Sequence, residues 1–452
     1  MKRERMNSRI GFILVSAGCA IGIGNVWKFP YIAGQNGGGA FVLLYLLFLA
    51  IIGVPVMTME FAIGRAAQSS PVSMYRKLEK RGHKWHWHGY ASVAGNYLLM
   101  MFYTTVAGWM IRYFILTLAG NFENLTSTQI SAQYEKMLSE PTSMVICMGI
   151  TVAAGFAVCA AGVHKGIEAV SKVIMTVLLA IMLILVINSL TLDGAEEGLE
   201  FYLKPDIARV KDVGIISVIT AAMRQAFFTL SIGIGSMSIF GSYIGKERSL
   251  MGEAVNIAFL DTFVAISSGL IIFPACYTYG IEADSGPSLI FITLPNIFNS
   301  IPYGRIWGSL FFAFMTFAAF TTVIGVFENI VSCVSEITGW SRKKTCLLNS
   351  GVMFVLSLPC VFGFNLFKEI QPFGQGSTIM DLEDFIVSNI MLPLGALTVI
   401  LFCVTRYGWG WKNFISEANA GKGLKLAGWM RGYMTYVLPI IVIFIFAAGL
   451  VK

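Results

Sequence analysis

The chain has 452 residues, 56% of them hydrophobic and 13% charged, about half the charged share of a soluble globular protein. Too few polar side chains remain to cover a water-facing surface, which excludes a soluble enzyme, a nucleic-acid binder and a disordered scaffold. The net charge of +7 is not the mark of an acidic partner, because its placement along the chain is that of a membrane orientation signal.

Eleven apolar stretches long enough to cross a bilayer, about 20 residues each, follow one another at 10–31, 38–63, 90–118, 143–162, 167–190, 214–244, 253–280, 304–337, 346–361, 384–405 and 431–450. The basic start leads into the first of these without a small-residue cleavage site, so the sequence predicts a membrane helix there and not a cleaved leader. An odd number of spans puts the termini on opposite sides of the lipid bilayer. With the N-terminus inside, the inner segments carry 22 Lys and Arg and the outer ones seven. That bias predicts a cytoplasmic N-terminus and an outside C-terminus in a cell (inner, if bacterial) membrane. The organisation follows: an inner segment 1–9, a first half 10–190, an outer loop 191–213, a second half 214–405, an inner loop 406–430 and a last span with the outer terminus at 431–452.

The eight cysteines lie in or at the ends of apolar stretches and form no CxxC pair, which suits packing and not disulfides. The inner run His83-Lys84-Trp85-His86-Trp87-His88 reads as an interfacial aromatic and basic belt in preference to a metal site. The sequon at Asn124 is a three-residue match that carries little. The outer loops 119–142 and 191–213 are polar and read as solvated connections.

Two spans are interrupted in the middle. The first reads Ala17-Gly18-Cys19-Ala20-Ile21-Gly22-Ile23-Gly24-Asn25, and the sixth Phe228-Thr229-Leu230-Ser231-Ile232-Gly233-Ile234-Gly235-Ser236. Glycines and small polar groups at mid-membrane release backbone carbonyls, and such backbone survives only where protein or a polar cavity satisfies it. Close helix packing through small residues is the bland alternative for either span alone. Two breaks five spans apart predict two inverted halves with ions and cargo held between half-helices, the plan of a secondary transporter.

The run from Gly11 to Phe41 resembles the first-helix signature of the neurotransmitter:sodium symporter family. Gln225 to Ser236 resembles its sixth helix, Phe259 to Thr262 its seventh, Ala318 to Glu328 its eighth and Asp381 to Phe385 the start of its tenth. The resemblance implies an all-α polytopic membrane protein of the LeuT type: a 5+5 inverted repeat with discontinuous helices 1 and 6, plus an eleventh transmembrane helix, as in several bacterial amino-acid members. It implies sodium-coupled symport of a hydrophobic or aromatic L-amino acid, two Na+ ions, no organic cofactor and no enzyme activity.

Residue by residue, the resemblance implies a first sodium site at the Ala20 carbonyl, Asn25, Thr229 and Asp261, completed by the cargo's carboxylate. A second would use the carbonyls of Gly18, Ile21 and Ala318 with the hydroxyls of Thr321 and Thr322. Without the family, that threonine pair reads as bonded back to its own turn. A carboxylate inside an apolar span is costly and marks function. Chloride-dependent relatives carry a neutral amide at the Asp261 position and a serine at Ala265, so Asp261 is expected to supply the charge that chloride supplies elsewhere. Gly22 stands where monoamine carriers place an aspartate, leaving room for the cargo's own carboxylate, to which Tyr103 would donate. Ala20, Gly22, Gly24, Leu99, Phe228, Thr229, Ser231, Ile234, Val323 and Val326 complete the expected pocket. Its uncharged lining disfavours acidic or basic cargo.

Lys28 with Asp384 would form the outer gate, and Arg3 with Glu336, near Tyr243, the inner one. Three departures stand out: Lys28 replaces the family's arginine, Met6 its tryptophan, and Thr176 a proline that helps unwind the fifth helix. A sodium-independent exchanger and a non-transporting sensor of the same architecture stay open. The sequence does not fix the oligomeric state.

Overall fold

The computed structural model describes residues 6, 8–280 and 289–450. Among the described residues there are no strands beyond two isolated bridges, and nine helices are long and apolar enough to cross a membrane, with one bent pair as a tenth span. We number the spans in chain order. The bent pair is α1a, Arg9–Ala20, and α1b, Gly24–Gln35; then come α2, Gly39–Ala67, α3, His86–Leu118, α4, Pro141–Ala160, and α5, Val163–Leu190. The sixth is split into α6a, Ile215–Thr229, and α6b, Ser236–Gly241. The rest are α7, Leu250–Thr278, α8, Gly304–Thr338, α9, Arg342–Phe362, α10, Ile379–Val404, and α11, Met430–Leu450. The eleven expected spans are present, and both interruptions fall where the glycines are.

Each break has a local cause. In α1 the Gly22 amide turns to Asn25 Oδ1 (3.2 Å) and the Ile23 amide to the Tyr103 hydroxyl (3.0 Å). The carbonyls of Gly18 and Cys19 therefore lose their usual amide partners four residues on, and the two halves meet at 57°. In α6 the backbone runs left-handed at Ser231, Gly233 and Gly235 (φ 50°, 100° and 77°), a conformation that favours glycine. Glu60 of α2 holds this stretch, accepting from the Gly233 amide at 2.6 Å and the Ser238 amide at 3.2 Å. Asn96 and Asn329 both donate to the Ile234 carbonyl (2.8 and 3.3 Å). The irregular backbone at mid-membrane depth is thus paired by protein.

The halves α1–α5 and α6–α10 form the inverted repeat, with α11 packed on α10 outside it. The α1a half lies against α5, α7 and α8, α2 backs both pieces of α6, and α3 runs along α8. Both broken helices are so enclosed by unbroken ones.

Wider π-helical turns recur at Gly24–Lys28, Leu49–Gly53, Val163–Glu168, Leu289–Thr293, Ile386–Met391 and Tyr433–Val437. In five of the six a proline follows two residues after the turn: Pro30, Pro55, Pro295, Pro393 and Pro439. Proline has no amide to donate and crowds the carbonyl four residues back, and a turn with one extra residue relieves both. The exception opens α5, after Gly162 at φ 94°. Further along α5, Thr176 stays in regular helix and bonds back to the Lys172 carbonyl at 2.8 Å.

The connections 119–142 and 191–213 are more ordered than solvated loops. Ser127–Ser139 is a helix closed by a reciprocal cap between Thr126 and Gln129, and Ile207–Val213 is capped by Asp206.

Candidate functional site

The first predicted ion site is assembled around Asp261, which is fully buried in α7. Asn25 Nδ2 donates to Asp261 Oδ1 at 2.9 Å, to the Asp261 carbonyl at 3.2 Å and to Thr229 Oγ1 at 3.0 Å. Thr229 Oγ1 donates to Asp261 Oδ2 at 2.9 Å, and the Tyr45 hydroxyl approaches the same oxygen at 3.5 Å. The Asn25 amide nitrogen thus faces a knot of oxygen atoms. Turning that amide over gives up the Gly22 amide bond to its oxygen, presents that oxygen to the same point and leaves a carboxylate, an amide oxygen and a hydroxyl converging without a positive charge. That donor set fits a hard cation, which takes oxygen ligands.

The second predicted site is also assembled. Thr322 Oγ1 lies 3.2 Å from the Ile21 carbonyl and 3.5 Å from that of Gly18. Thr321 Oγ1 lies 3.0 Å from the Ala318 carbonyl and 3.5 Å from that of Ile21. Thr321 also bonds back to Phe317 at 3.2 Å, so the bland reading holds for part of its hydroxyl. Thr322 instead reaches across to α1. Three carbonyls and two hydroxyls converge, all neutral oxygens.

Between the breaks lies a central cavity of about 20 Å³, lined by Ala20, Gly22, Gly24, Leu99, Tyr103, Phe228, Ser231, Ile234, Thr322 and Leu392. Eight of these were expected from the sequence as cargo contacts; Thr322, expected as an ion ligand, and Leu392 were not. Thr229, Val323 and Val326 lie outside its lining. Thr229 is turned to Asp261, and Val323 faces Gly155 of α4. Successive residues of a helix point about 100° apart, so with Thr322 aimed at α1 its neighbour Val323 is carried to another side of α8. A volume of about 20 Å³ holds one water and no amino acid, so the cavity is closed down in this conformation.

Above it sits a second cavity of about 290 Å³, reaching from Gly24, Tyr103 and Phe228 to Lys28, Asp381 and Asp384. Phe228 and Tyr103 wall both chambers. Lys28 Nζ contacts both Asp384 carboxylate oxygens (3.1 and 3.2 Å) and rests 4.0 Å over the Phe228 ring. The lysine lacks the planar fork of an arginine and adds a cation–π contact to the roof of the pocket. Ser388 Oγ holds Asp384 Oδ1 at 2.7 Å.

The expected Arg3–Glu336 pair falls partly outside the described residues, which include Glu336 and Tyr243 but not Arg3. Glu336 accepts from the Ser70 amide and hydroxyl (2.9 and 2.7 Å) at the start of the helix Pro71–Leu78. The Tyr243 hydroxyl donates to Glu328, which Arg342 also grips. A latch absent from the sequence reading ties down α1a. Ser8 caps the helix at the Gly11 amide and donates to Glu168 at 3.2 Å, while Lys172 reaches both Ser8 and Glu168 (2.9 and 2.7 Å). Arg9 pairs with Glu253 of α7 at 2.9 Å. Glu60, Glu168, Glu253 and Glu328 are acids inside or at the ends of apolar spans, which was the signal that could have found them. The histidines of the 83–88 run diverge: His86 pairs with Glu79 at 2.6 Å, His88 lies against Tyr75 and His83 against Tyr407.

Glu168→Gln is expected to loosen the latch. A hydrogen bond to a charged group contributes about 1.5–3 kcal/mol, so the inward-open population should rise at least tenfold. The check is thiol labelling of Cys19, fully buried in α1a, with the other seven cysteines replaced by alanine; an unchanged rate removes the latch.

Two discontinuous helices facing each other across paired oxygen cages and a closed cavity define a secondary transporter of the inverted-repeat class. The chain matches the model of the "Sodium:neurotransmitter symporter family" over residues 3–136 and 125–452. It is 34% identical to an uncharacterised sodium-dependent transporter, YhdH, of Bacillus subtilis, over 97% of this chain and 96% of that one. It is 27% identical to the sodium- and chloride-dependent taurine transporter of Bos taurus, over 100% of this chain and 78% of that one. The crystal structure of MhsT in complex with L-phenylalanine superposes with a TM-score of 0.89 at 36% identity, covering 99% of this chain and 100% of that one. The chain belongs to the sodium:neurotransmitter symporter family and is a sodium-dependent, multi-pass membrane transporter.

Proposed function

We propose that this transporter imports a hydrophobic or aromatic L-amino acid together with two sodium ions and without chloride. The observation that carries the reading is the central cavity, where Leu99, Phe228, Ile234 and Leu392 surround the space and Tyr103 with the α1 break supplies its polar end. A zwitterion's carboxylate at that end lies beside the Asn25–Thr229–Asp261 cage and becomes a sodium ligand, so neither ion nor cargo completes the site alone. An apolar side chain then meets apolar walls, while a charged one is buried unpaired. The phenylalanine bound to the similar MhsT supports an aromatic cargo.

Outward-open protein takes up both ions and the amino acid, Phe228 and the Lys28–Asp384 pair close above them, and the inner contacts of α1a then part. The N-terminus is cytoplasmic in this reading. Each sodium charge moving through about 100 mV contributes about 2.3 kcal/mol, so two ions sustain accumulation on the order of a thousandfold before their concentration gradient is counted.

The test is uptake of labelled L-amino acids by proteoliposomes under inward sodium or potassium gradients, with chloride or gluconate as anion. Sodium-driven accumulation of leucine-like or aromatic substrates in both anions is the expected result. Collapse in gluconate refutes chloride independence, and binding without accumulation favours a sensor. Asp384→Ala should slow uptake severalfold by removing the partner of Lys28; unchanged uptake means the pair is not a gate.

A further inference from the structure

A cavity of about 710 Å³ opens on the inner half of the molecule between the start of α3, the α6 break and α10. It is far larger than the central chamber and falls within the roughly 300–1,000 Å³ usual for small-molecule sites. Its depth is apolar, with Ile234, Ile390, Met391 and Leu394, and its mouth carries His83, Lys84, Trp85 and Trp87. Exposed apolar side chains flank the opening: Trp87 is 63% exposed and Leu394 39%.

The mouth is basic. Across 76–88 and 405–412 the chain has Arg76, Lys77, Lys80, Arg81, Lys84, Arg406 and Lys412, and a single acid, Glu79. That acid is turned to His86, 2.6 Å away, and the segments keep a large basic excess. The two loops are fastened to each other, Lys80 Nζ to the Arg406 carbonyl at 2.6 Å and Trp85 Nε1 to the Tyr407 carbonyl at 2.9 Å. The buried His88 Nε2 on the cavity wall has no hydrogen-bond partner among the described residues.

We infer that this groove binds an anionic phospholipid of the inner leaflet, with an acyl chain along α10 and the headgroup among the basic side chains of the 80–84 loop and Arg406. An apolar trough flanked by exposed apolar side chains suits a hydrocarbon chain. A cationic rim with interfacial tryptophans suits a phosphate at headgroup depth. The floor gives the site a consequence. Gly233 and Ile234 belong to the α6 break, and Ile234 also lines the central cavity. A chain lying in the groove therefore braces the wall of the cargo pocket from behind, at backbone that Asn96 and Asn329 hold from the other side.

The experiment is native mass spectrometry of the full-length protein in detergent, titrated with phosphatidylglycerol or phosphatidylcholine of matched chains. Phosphatidylglycerol is expected to be retained at least tenfold more strongly. K84A with R406A should bring it down to the phosphatidylcholine level, and A91W, at an exposed position on the groove wall, should block both lipids. L394W fills the same trough from α10 and serves if A91W fails to fold. Inorganic phosphate should not displace the lipid. Equal retention of the two lipids, or full retention in both tryptophan variants, overturns the proposal.

Discussion

Replacing Asp261 by asparagine is expected to lower sodium-dependent uptake by two to three orders of magnitude, in chloride and in gluconate alike, while leaving the fold intact. The substitution keeps the shape and one of the two oxygens, to which Asn25 and Thr229 each donate at 2.9 Å; the new NH2 group can donate to the Thr229 hydroxyl in return. What it removes is the charge. Asp261 is fully buried, and among the described residues no salt bridge includes it. A cation bound there without the carboxylate is a buried ion stripped of its partner, which costs about 3–5 kcal/mol. At 1.4 kcal/mol per factor of ten, that is the expected loss. Adding A265S to D261N should return part of the activity in chloride only, since a serine and a neutral amide at these positions accompany chloride dependence in relatives. Uptake by D261N that matches the parent protein removes the first ion site.

Gly22→Ala should abolish amino-acid binding, by at least a hundredfold, at a modest cost in stability. A methyl group on Gly22 runs into the Tyr103 hydroxyl and Thr322 Oγ1 together. It strikes the group proposed to hold the cargo's carboxylate and a proposed ligand of the second ion at once. The break around it gives the backbone some freedom to shift, so the overpacking penalty should stay near the usual 1–3 kcal/mol. Melting temperature and sodium-dependent binding of a labelled amino acid separate the two effects. Retained binding shows that the carboxylate lies elsewhere.

Both positions were visible in the sequence because they violate its surroundings. An aspartate or a glycine cluster at the centre of an apolar run has no packing reason to be there, and Asp261 and Gly22 stood out on that ground. Span count and the two breaks were legible for the same reason, since composition changes sharply at each. The inner latch was not. Glu168 was readable as an acid near the membrane, but its partner Ser8 is 160 residues away and ordinary in its own context. Val323 and Val326, which do not line the closed cavity, were hard to place for another reason. Both lie beside or one turn from Thr322, and the rotation of α8 about its axis, which decides what they touch, depends on packing against α1 and α4. The seat of Lys28 on Phe228 was not legible either, because it is a contact between segments 200 residues apart.

The paired prolines and π-helical turns carry a consequence for how each span presents itself. One surplus residue offsets everything beyond it by about 100° around the helix axis, since a turn takes 3.6 residues. A span such as α2 or α10 is thus two short helices sharing an axis but differing in phase, one aligned with the core on the inner side and the other on the outer side. Deleting a single residue inside such a turn, for example Ile51 in α2, shortens the span by only about 1.5 Å. It also swings the entire distal segment onto a different set of neighbours. Length is therefore a forgiving variable in these helices, and angular alignment is not.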